Sequence, residues 1–322
     1  MLKRNLGQSS LACSILGLGC MGMSEWYGPT DDVESTATIQ AALASGINFF
    51  DTADVYGNGR NELLLGKVLK GRRNEAIIAT KFGFLPNESG ICGRPEYAKS
   101  ACEASLNRLG IDCIDLYYLH RIDANVPLEE SLGAMVDLVK AGKVRYIGLS
   151  EASAASLQRA CKIHPITALQ SEYSIWERDV EEEILPACRQ LGIAFVPYCP
   201  LGRGFLTGKV KDEKNFADND FRKRIPLFKG ENFKANLKIV EEIEQIAVAK
   251  GCTAAQIALA WLFEQGADIF PIPGTKRRKY LFENIAALDV ELTIAEIERI
   301  NLLSKRIKGA RKSESAMKLI NG

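Results

Sequence analysis

Asp51, Tyr56, Lys81 and His120 are four polar residues whose types and spacing can do chemistry. Singly, each has an ordinary structural use: Asp51 as a helix cap, Tyr56 as a half-buried ring, Lys81 as a lysine reaching water along its apolar stem, His120 as a hydrogen-bonded core histidine. Together they make a proton-transfer device. A tyrosine hydroxyl has a reference pKa near ~10 and gives its proton poorly to a developing alkoxide unless a nearby ammonium stabilises the phenolate. Lys81 can supply that cation, and Asp51 can keep the lysine charged once it leaves water. His120 can orient a carbonyl oxygen by hydrogen bonding. The chemistry such a group suits is carbonyl reduction.

For these side chains to meet, strand ends must converge. Short apolar or β-branched runs predict strands at 15–20, 47–51, 76–81, 115–120, 144–149, 168–173, 193–198 and 268–272. Amphipathic runs between them predict helices at 32–45, 62–70, 95–109, 128–141, 153–162, 180–191 and 253–265. Repeated strand-then-helix units predict an α/β fold, a single (β/α)8 TIM barrel, in which every strand's C-terminal end opens on one face. Asp51, Lys81 and His120 close the second, third and fourth strands, and Tyr56 lies in the loop after the second. Gly46, Gly110, Gly142 and Gly192 each follow a helical run and predict left-handed caps. Two segments exceed the repeat: a long connection at 201–232, expected to cover cofactor or substrate, and an additional helix at 235–250. The polar tail at 308–322 is either loose or a cover for the pocket mouth.

Composition bounds the remaining possibilities. The chain of 322 residues is 47% hydrophobic and 25% charged, which is globular. Length alone suggests two domains, but barrels of about 250 residues form one, and no linker interrupts residues 1–322. The balance of 41 Lys plus Arg against 40 Asp plus Glu leaves no broad footprint for nucleic acid or anionic lipid. No apolar run approaches the ~20 residues a membrane span needs, and the polar start predicts a cytoplasmic protein. Nine Cys without a C-x-x-C pair predict buried thiols, and with only His120 and His164 present no metal site is expected. The expected partner is a small carbonyl compound, and oligomeric state is left open.

The segment 46–57, GINFFDTADVYG, resembles the first signature of the aldo-keto reductase family and contains Asp51 and Tyr56. Residues 78–82, IATKF, and 115–120, DLYYLH, resemble its lysine and histidine signatures, and the similarity runs essentially end to end. Within the family, GLSEAS at 148–153 and YCPLGRG at 198–204 most resemble the auxin-induced-type and perakine-reductase-like branch with its microbial relatives. The resemblance implies NADPH-dependent reduction of aldehydes or ketones. Tyr56 would be the general acid, Lys81 the partner that lowers its pKa, Asp51 the ion-pair partner of the lysine and His120 the orienting residue.

The cofactor contacts are likewise implied by similarity. Cys20 and Met21 match positions near the nicotinamide; Ser150 and Gln170, ending the fifth and sixth strands, would hold its carboxamide; Tyr198 would stack on its ring. Cys199, Pro200, Leu201, Gly202 and Arg203 continue that wall. Gly274, Thr275, Lys276 and Arg277, followed by Glu283 and Asn284, resemble the segment that holds the adenosine end. Four successive cations at 276–279 are either a solvated charge run or recognise a 2′-phosphate, which selects NADPH/NADP+, with Lys276 and Arg277 as its partners. Two positions depart from the pattern: Glu151, where many members carry Asn, and Tyr280, where an Arg is frequent. Trp26, Tyr27, Phe84 and Trp176 either line an apolar substrate pocket or simply pack.

Three rival readings follow from the same residues. Gly17, Gly19 and Gly22 satisfy a dinucleotide-binding G-x-G-x-x-G with Asp51 as the ribose acid, but residues 24–30 intervene before any helix, and Asp51 lies 29 residues past Gly22 instead of about 20. A Schiff-base aldolase would use Lys81 as nucleophile, which a charged Asp51-paired lysine cannot be. A regulatory module of the potassium-channel β type would bind NADPH without turning over.

Overall fold

The computed structural model describes residues 1–86, 89–216, 220–317 and 319–320. An antiparallel hairpin, β1 (Lys3–Asn5) and β2 (Ala12–Ser14), opens the chain. Strands and helices then alternate: β3 (Leu18–Gly19), α1 (Asp32–Ala44), β4 (Phe49–Asp51), α2 (Arg60–Leu69), β5 (Ile77–Phe82), α3 (Pro95–Leu109), β6 (Ile114–Leu119) and α4 (Leu128–Lys140). They continue through β7 (Val144–Ser150), α5 (Ala154–Cys161), β8 (Ala168–Glu172), α6 (Ile184–Leu191), β9 (Ala194–Tyr198), α7 (Gly230–Ala249) and α8 (Ala254–Phe263). Three helices end the chain: α9 (Arg278–Ile285), α10 (Ile294–Ser304) and α11 (Glu314–Met317).

Strands β3 to β9 pair in chain order and all in parallel, giving the (β/α)8 barrel that the alternation predicts. Every residue of β5 and β6 is buried, as parallel strands require when helices cover one face and the barrel interior the other. The eighth position is filled by residues 268–274, which bridge β9 at Ile269 and β3 at Gly274 without forming a named strand. Proline is the cause. Phe270 and Ile272 donate to Phe195 and Pro197, and Gly17 and Gly19 donate to Pro271 and Pro273. Pro197, Pro271 and Pro273 have no N–H with which to complete the ladders.

The initial hairpin, which the alternation of strand and helix did not predict, plugs the barrel floor. Leu6, Leu11 and Cys13 pack with Phe49, Leu116, Val196 and Phe270 from the strands. Inside the barrel, Gly148 lets the Tyr118 ring lie across β7, because a Cβ there would fall 2.6 Å from that ring.

Local punctuation behaves as its chemistry dictates. Gly46, Gly110, Gly142 and Gly192 have φ of 84°, 65°, 73° and 68° and end α1, α3, α4 and α6 in the left-handed region. The run expected as one helix at 180–191 is instead a 3₁₀ turn at Asp179–Glu181 followed by α6, with Pro186 in the first turn of the latter, where a missing N–H costs nothing. Helix α7 starts five residues before the expected 235, burying Phe233 on its added turn. No single helix among the described residues is long and apolar enough to cross a membrane.

Candidate functional site

The C-terminal strand ends open into a cleft of about 1510 Å³, lined by loops from β3, β4, β6, β9, residues 272–277 and the chain terminus. Backbone strain concentrates around it. The five non-glycine residues with positive φ among those described are Trp26, Asn58, Glu151, Cys199 and Arg203. All but Glu151 line the cleft, and Glu151 follows Ser150, which does.

Asp51, Tyr56, Lys81 and His120 meet at the bottom. Register aligns Asp51 with Ala79 and Lys81 with Tyr118, so the acid and the base approach from adjacent strands. Lys81 is fully buried, and its ammonium donates to Asp51 Oδ1 at 2.5 Å, to the Thr52 carbonyl at 2.8 Å and to Tyr56 Oη at 3.2 Å. Its three donors are therefore spent. The other Asp51 oxygen accepts from Gln170 Nε2 at 2.6 Å. Burial works to lower the Lys81 pKa, but the neighbouring Asp51 carboxylate and Tyr56 hydroxyl outweigh it and hold the lysine above its ordinary value.

At Tyr56 the expected lowering by Lys81 is present but is outweighed. Burial raises its pKa above 10, and Lys81 offsets part of that rise without reversing it. The hydroxyl is thus the protonated form at neutral pH. His120, just past β6, is held well below its ordinary value by burial and then by Lys81, Arg121 and Lys312, so the imidazole is neutral. Its Nδ1 has no hydrogen-bond partner among the described residues. Phe84 meets it edge-on at 4.7 Å, and Tyr56 at 6.0 Å.

The expected cofactor wall is mostly on the cleft. Met21, Ser150, Gln170, Tyr198, Cys199, Pro200, Leu201, Arg203, Gly274, Thr275, Lys276, Arg277, Glu283 and Asn284 all line it. Two are not on it. Cys20 is 1% exposed and packs with Leu16, Ile39 and Leu65 between barrel and helices, because its side chain points opposite to those lining the cleft. Gly202 lies against Trp176, where a Cβ would fall 2.6 Å from the indole. Trp176 is itself core, its ring tilted against Phe205 at 5.0 Å and edge-on to Phe228 at 5.9 Å, and not a pocket residue. Trp26, Tyr27 and Phe84 do line the cleft, and Phe221 from the 201–232 segment meets the rings of Trp26 and Tyr27 edge-on at 5.2 and 5.6 Å.

Lys276 is not free to act as expected. Its ammonium donates to the carbonyls of Tyr27, Gly28 and Pro29 at 2.7, 3.3 and 2.7 Å, tying the loop before α1 to the loop before α9. Arg278 pairs with Glu34, and Glu283 with Lys209. Lys209 also lies 4.1 Å from the centroid of Tyr280, the position where an Arg was frequent.

Glu151 is buried and is not among the residues that line the cleft. It accepts from Tyr198 Oη at 2.6 Å and from both terminal nitrogens of Arg311 at 3.0 Å. Burial would raise its pKa; Lys312, Arg311 and Arg121 more than reverse this and keep it ionised. Arg203 and Arg311 both engage buried Glu172. Sequence reasoning missed Arg121, Arg311 and Lys312. Arg121 directly follows the histidine signature, which was its one local signal. Nothing local marks the other two, whose partners stand some 140–160 residues away.

The sequence profile of the Aldo/keto reductase family matches residues 15–305. Among solved structures, the chain is similar to a thermostable aldo-keto reductase crystallised with the inhibitor epalrestat, at 30% identity and a TM-score of 0.76 over 94% of this chain and 100% of that one. It is also similar to the glycerol dehydrogenase from Gluconobacter oxydans, at 27% identity and a TM-score of 0.87 over 96% and 97% of the two chains.

Proposed function

Since the chain belongs to the aldo/keto reductase family and is an oxidoreductase of that fold, we propose that it reduces aldehydes or ketones to alcohols with NADPH, and that Tyr56 delivers the proton. The observation that carries the reading is the buried chain from Gln170 through Asp51 and Lys81 to the Tyr56 hydroxyl, beside a neutral His120 with an unpartnered nitrogen.

The cleft fits the cofactor in shape and in donor chemistry. It extends from Tyr56 and His120 to Arg277 and Asn284, Tyr198 offers a ring for stacking, and Ser150 and Gln170 offer polar groups for a carboxamide. Arg277 has no carboxylate within 4 Å among the described residues, which makes it the better candidate for a 2′-phosphate now that Lys276 is engaged. When bound, NADPH supplies the hydride.

The side chains do the rest. The neutral His120 imidazole donates a hydrogen bond from its N–H to the carbonyl oxygen and fixes its direction. Tyr56 gives its hydroxyl proton to that oxygen as charge develops there. Lys81, held charged by Asp51, stabilises the phenolate left behind, which is the moment at which its field counts most. Phe84, Trp26 and Tyr27 exclude water around the reacting carbon. The 201–232 segment, whose Leu201, Arg203 and Phe221 face the cleft, acts as the cover. The finer kinship with auxin-induced-type reductases rests on the motifs at 148–153 and 198–204 alone.

An aldolase role for Lys81 is disfavoured, because an ammonium with three engaged donors lacks the lone pair for attack. The test is NADPH oxidation followed by absorbance with 4-nitrobenzaldehyde, alongside NADPH binding by fluorescence. Turnover supports the reading; tight binding with no turnover on a panel of aldehydes and ketones rejects it in favour of a cofactor-sensing role.

A further inference from the structure

The tail beyond α10 is anchored in the protein. Asn236 of α7 holds Lys308 by both its backbone groups, at 2.9 Å each. Three residues on, Arg311 is 5% exposed and sits between Glu151, Glu172 and Glu177 at 3.0, 3.4 and 3.6 Å. A guanidinium hydrogen-bonded to the carboxylates of Glu151 and Glu172, with Glu177 alongside, leaves the next residue little freedom. That residue is Lys312, which lines the cleft with its ammonium 3.9 Å from Glu151 Oε1 and 5.6 Å from the centroid of Tyr198.

Arg121 lines the same cleft from the β6 side. One nitrogen donates to the His120 carbonyl at 2.5 Å and to Ser150 Oγ at 3.1 Å, and the guanidinium lies 5.4 Å from the Phe84 centroid. Among the described residues no carboxylate comes within ion-pair distance of it. The carboxylate nearest to Lys312, Glu151, is already engaged by Arg311 and the Tyr198 hydroxyl. Two cations therefore face a largely apolar cleft without full counter-charge, both close enough to His120 to depress its basicity.

We propose that Arg121 and Lys312 form a receptor for an anionic group on the substrate, so that the preferred substrates are carbonyl compounds carrying a carboxylate. The inference rests on the reductase reading and names its substrate class. The other source of such an anion is the cofactor's diphosphate. Substrate is favoured because Arg121 contacts the His120 backbone and the Phe84 ring, beside the residues proposed to act on the carbonyl, whereas the cations proposed for the cofactor's phosphate, Lys276 and Arg277, come from a different loop.

The experiment compares 4-carboxybenzaldehyde with methyl 4-formylbenzoate, which differ in charge at one position of the same ring. It reads the ratio of their kcat/KM values in the native protein, Lys312→Met and Lys312→Arg, with NADPH affinity measured for each. A charge-assisted contact predicts a native ratio of about tenfold or more in favour of the acid, lost in Lys312→Met and largely kept in Lys312→Arg. A native ratio at or below one, or a ratio unchanged in Lys312→Met, overturns the proposal. So does a Lys312→Met whose NADPH affinity falls while the ratio holds, which assigns the anion to the diphosphate. Calorimetric binding of 4-(hydroxymethyl)benzoate to the NADP+-loaded protein keeps the two readings apart. Lys312-dependent binding without turnover of either aldehyde sustains the receptor and rejects the reductase; no such binding rejects the receptor.

Discussion

Lys81 Nζ and Asp51 Oδ1 stand 2.5 Å apart with side chains 0% and 4% exposed. Removing either partner leaves the other charge buried and unpaired, which costs about 3–5 kcal/mol, whereas removing both costs less. Lys81→Met and Asp51→Asn should each lower unfolding stability by that order. The double variant should lose less than the sum, as urea unfolding of all three would measure. Additive losses would mean that the pair is not coupled.

His120 is neutral because burial and three nearby cations disfavour its charged form. Its protonation therefore makes no step in the rate near its ordinary pKa of ~6.5. With Tyr56 raised above 10, the acid form that donates the proton persists through neutrality and is lost only on the alkaline side. For an uncharged aldehyde, kcat should be flat from roughly pH 6 to 8. An inflection near 6.5 that disappears in His120→Gln would show that the imidazole titrates during turnover.

Glu177 carries the opposite linkage to the usual carboxylate. Burial raises it to about 8, with Arg311 pulling the other way. The folded state then binds this proton more tightly than the unfolded chain, so this group's contribution to stability falls as pH climbs from about 4.5 to about 8 and is level beyond. Glu177→Gln should raise Tm at pH 8.5 relative to the native protein and change it little at pH 5. Equal shifts at the two pH values would refute the linkage.

The cations at 276–279 divide into different tasks. Lys276 ties residues 27–29 to the loop before α9, whereas Arg277 is exposed, lines the cleft and has no ion-pair partner among the described residues. Arg277→Met should reduce the preference for NADPH over NADH by about tenfold, the loss of one charge-assisted phosphate contact. Lys276→Met should weaken both cofactors alike. Comparing kcat/KM for the two cofactors in each variant decides between this division and a shared role.

Much of this was legible because it is local. Strand positions follow from short apolar runs, and the barrel follows from their alternation with helices, so Asp51, Lys81 and His120 could be assigned to strand ends before their contacts were known. The eighth strand was placed correctly but not its broken ladder, although Pro271 and Pro273 stood in plain view. Helix α10 was missed despite Thr293 and Glu296, a capping box that the structure forms. For Trp176 the sequence leaves pocket wall and packing equally open, and only the approach of Gly202, Phe205 and Phe228 makes it core. Arg311 was beyond reach, since what gives it meaning is a set of carboxylates at 151, 172 and 177 that converge only in the folded barrel.

The most direct test of the account is the single-turnover rate of NADPH oxidation by Tyr56→Phe with 4-nitrobenzaldehyde, at cofactor saturation confirmed by fluorescence. Tyr56 as proton donor predicts a rate lower by about 100-fold or more with NADPH affinity retained. A variant that binds NADPH and reduces the aldehyde at close to the native rate would contradict it.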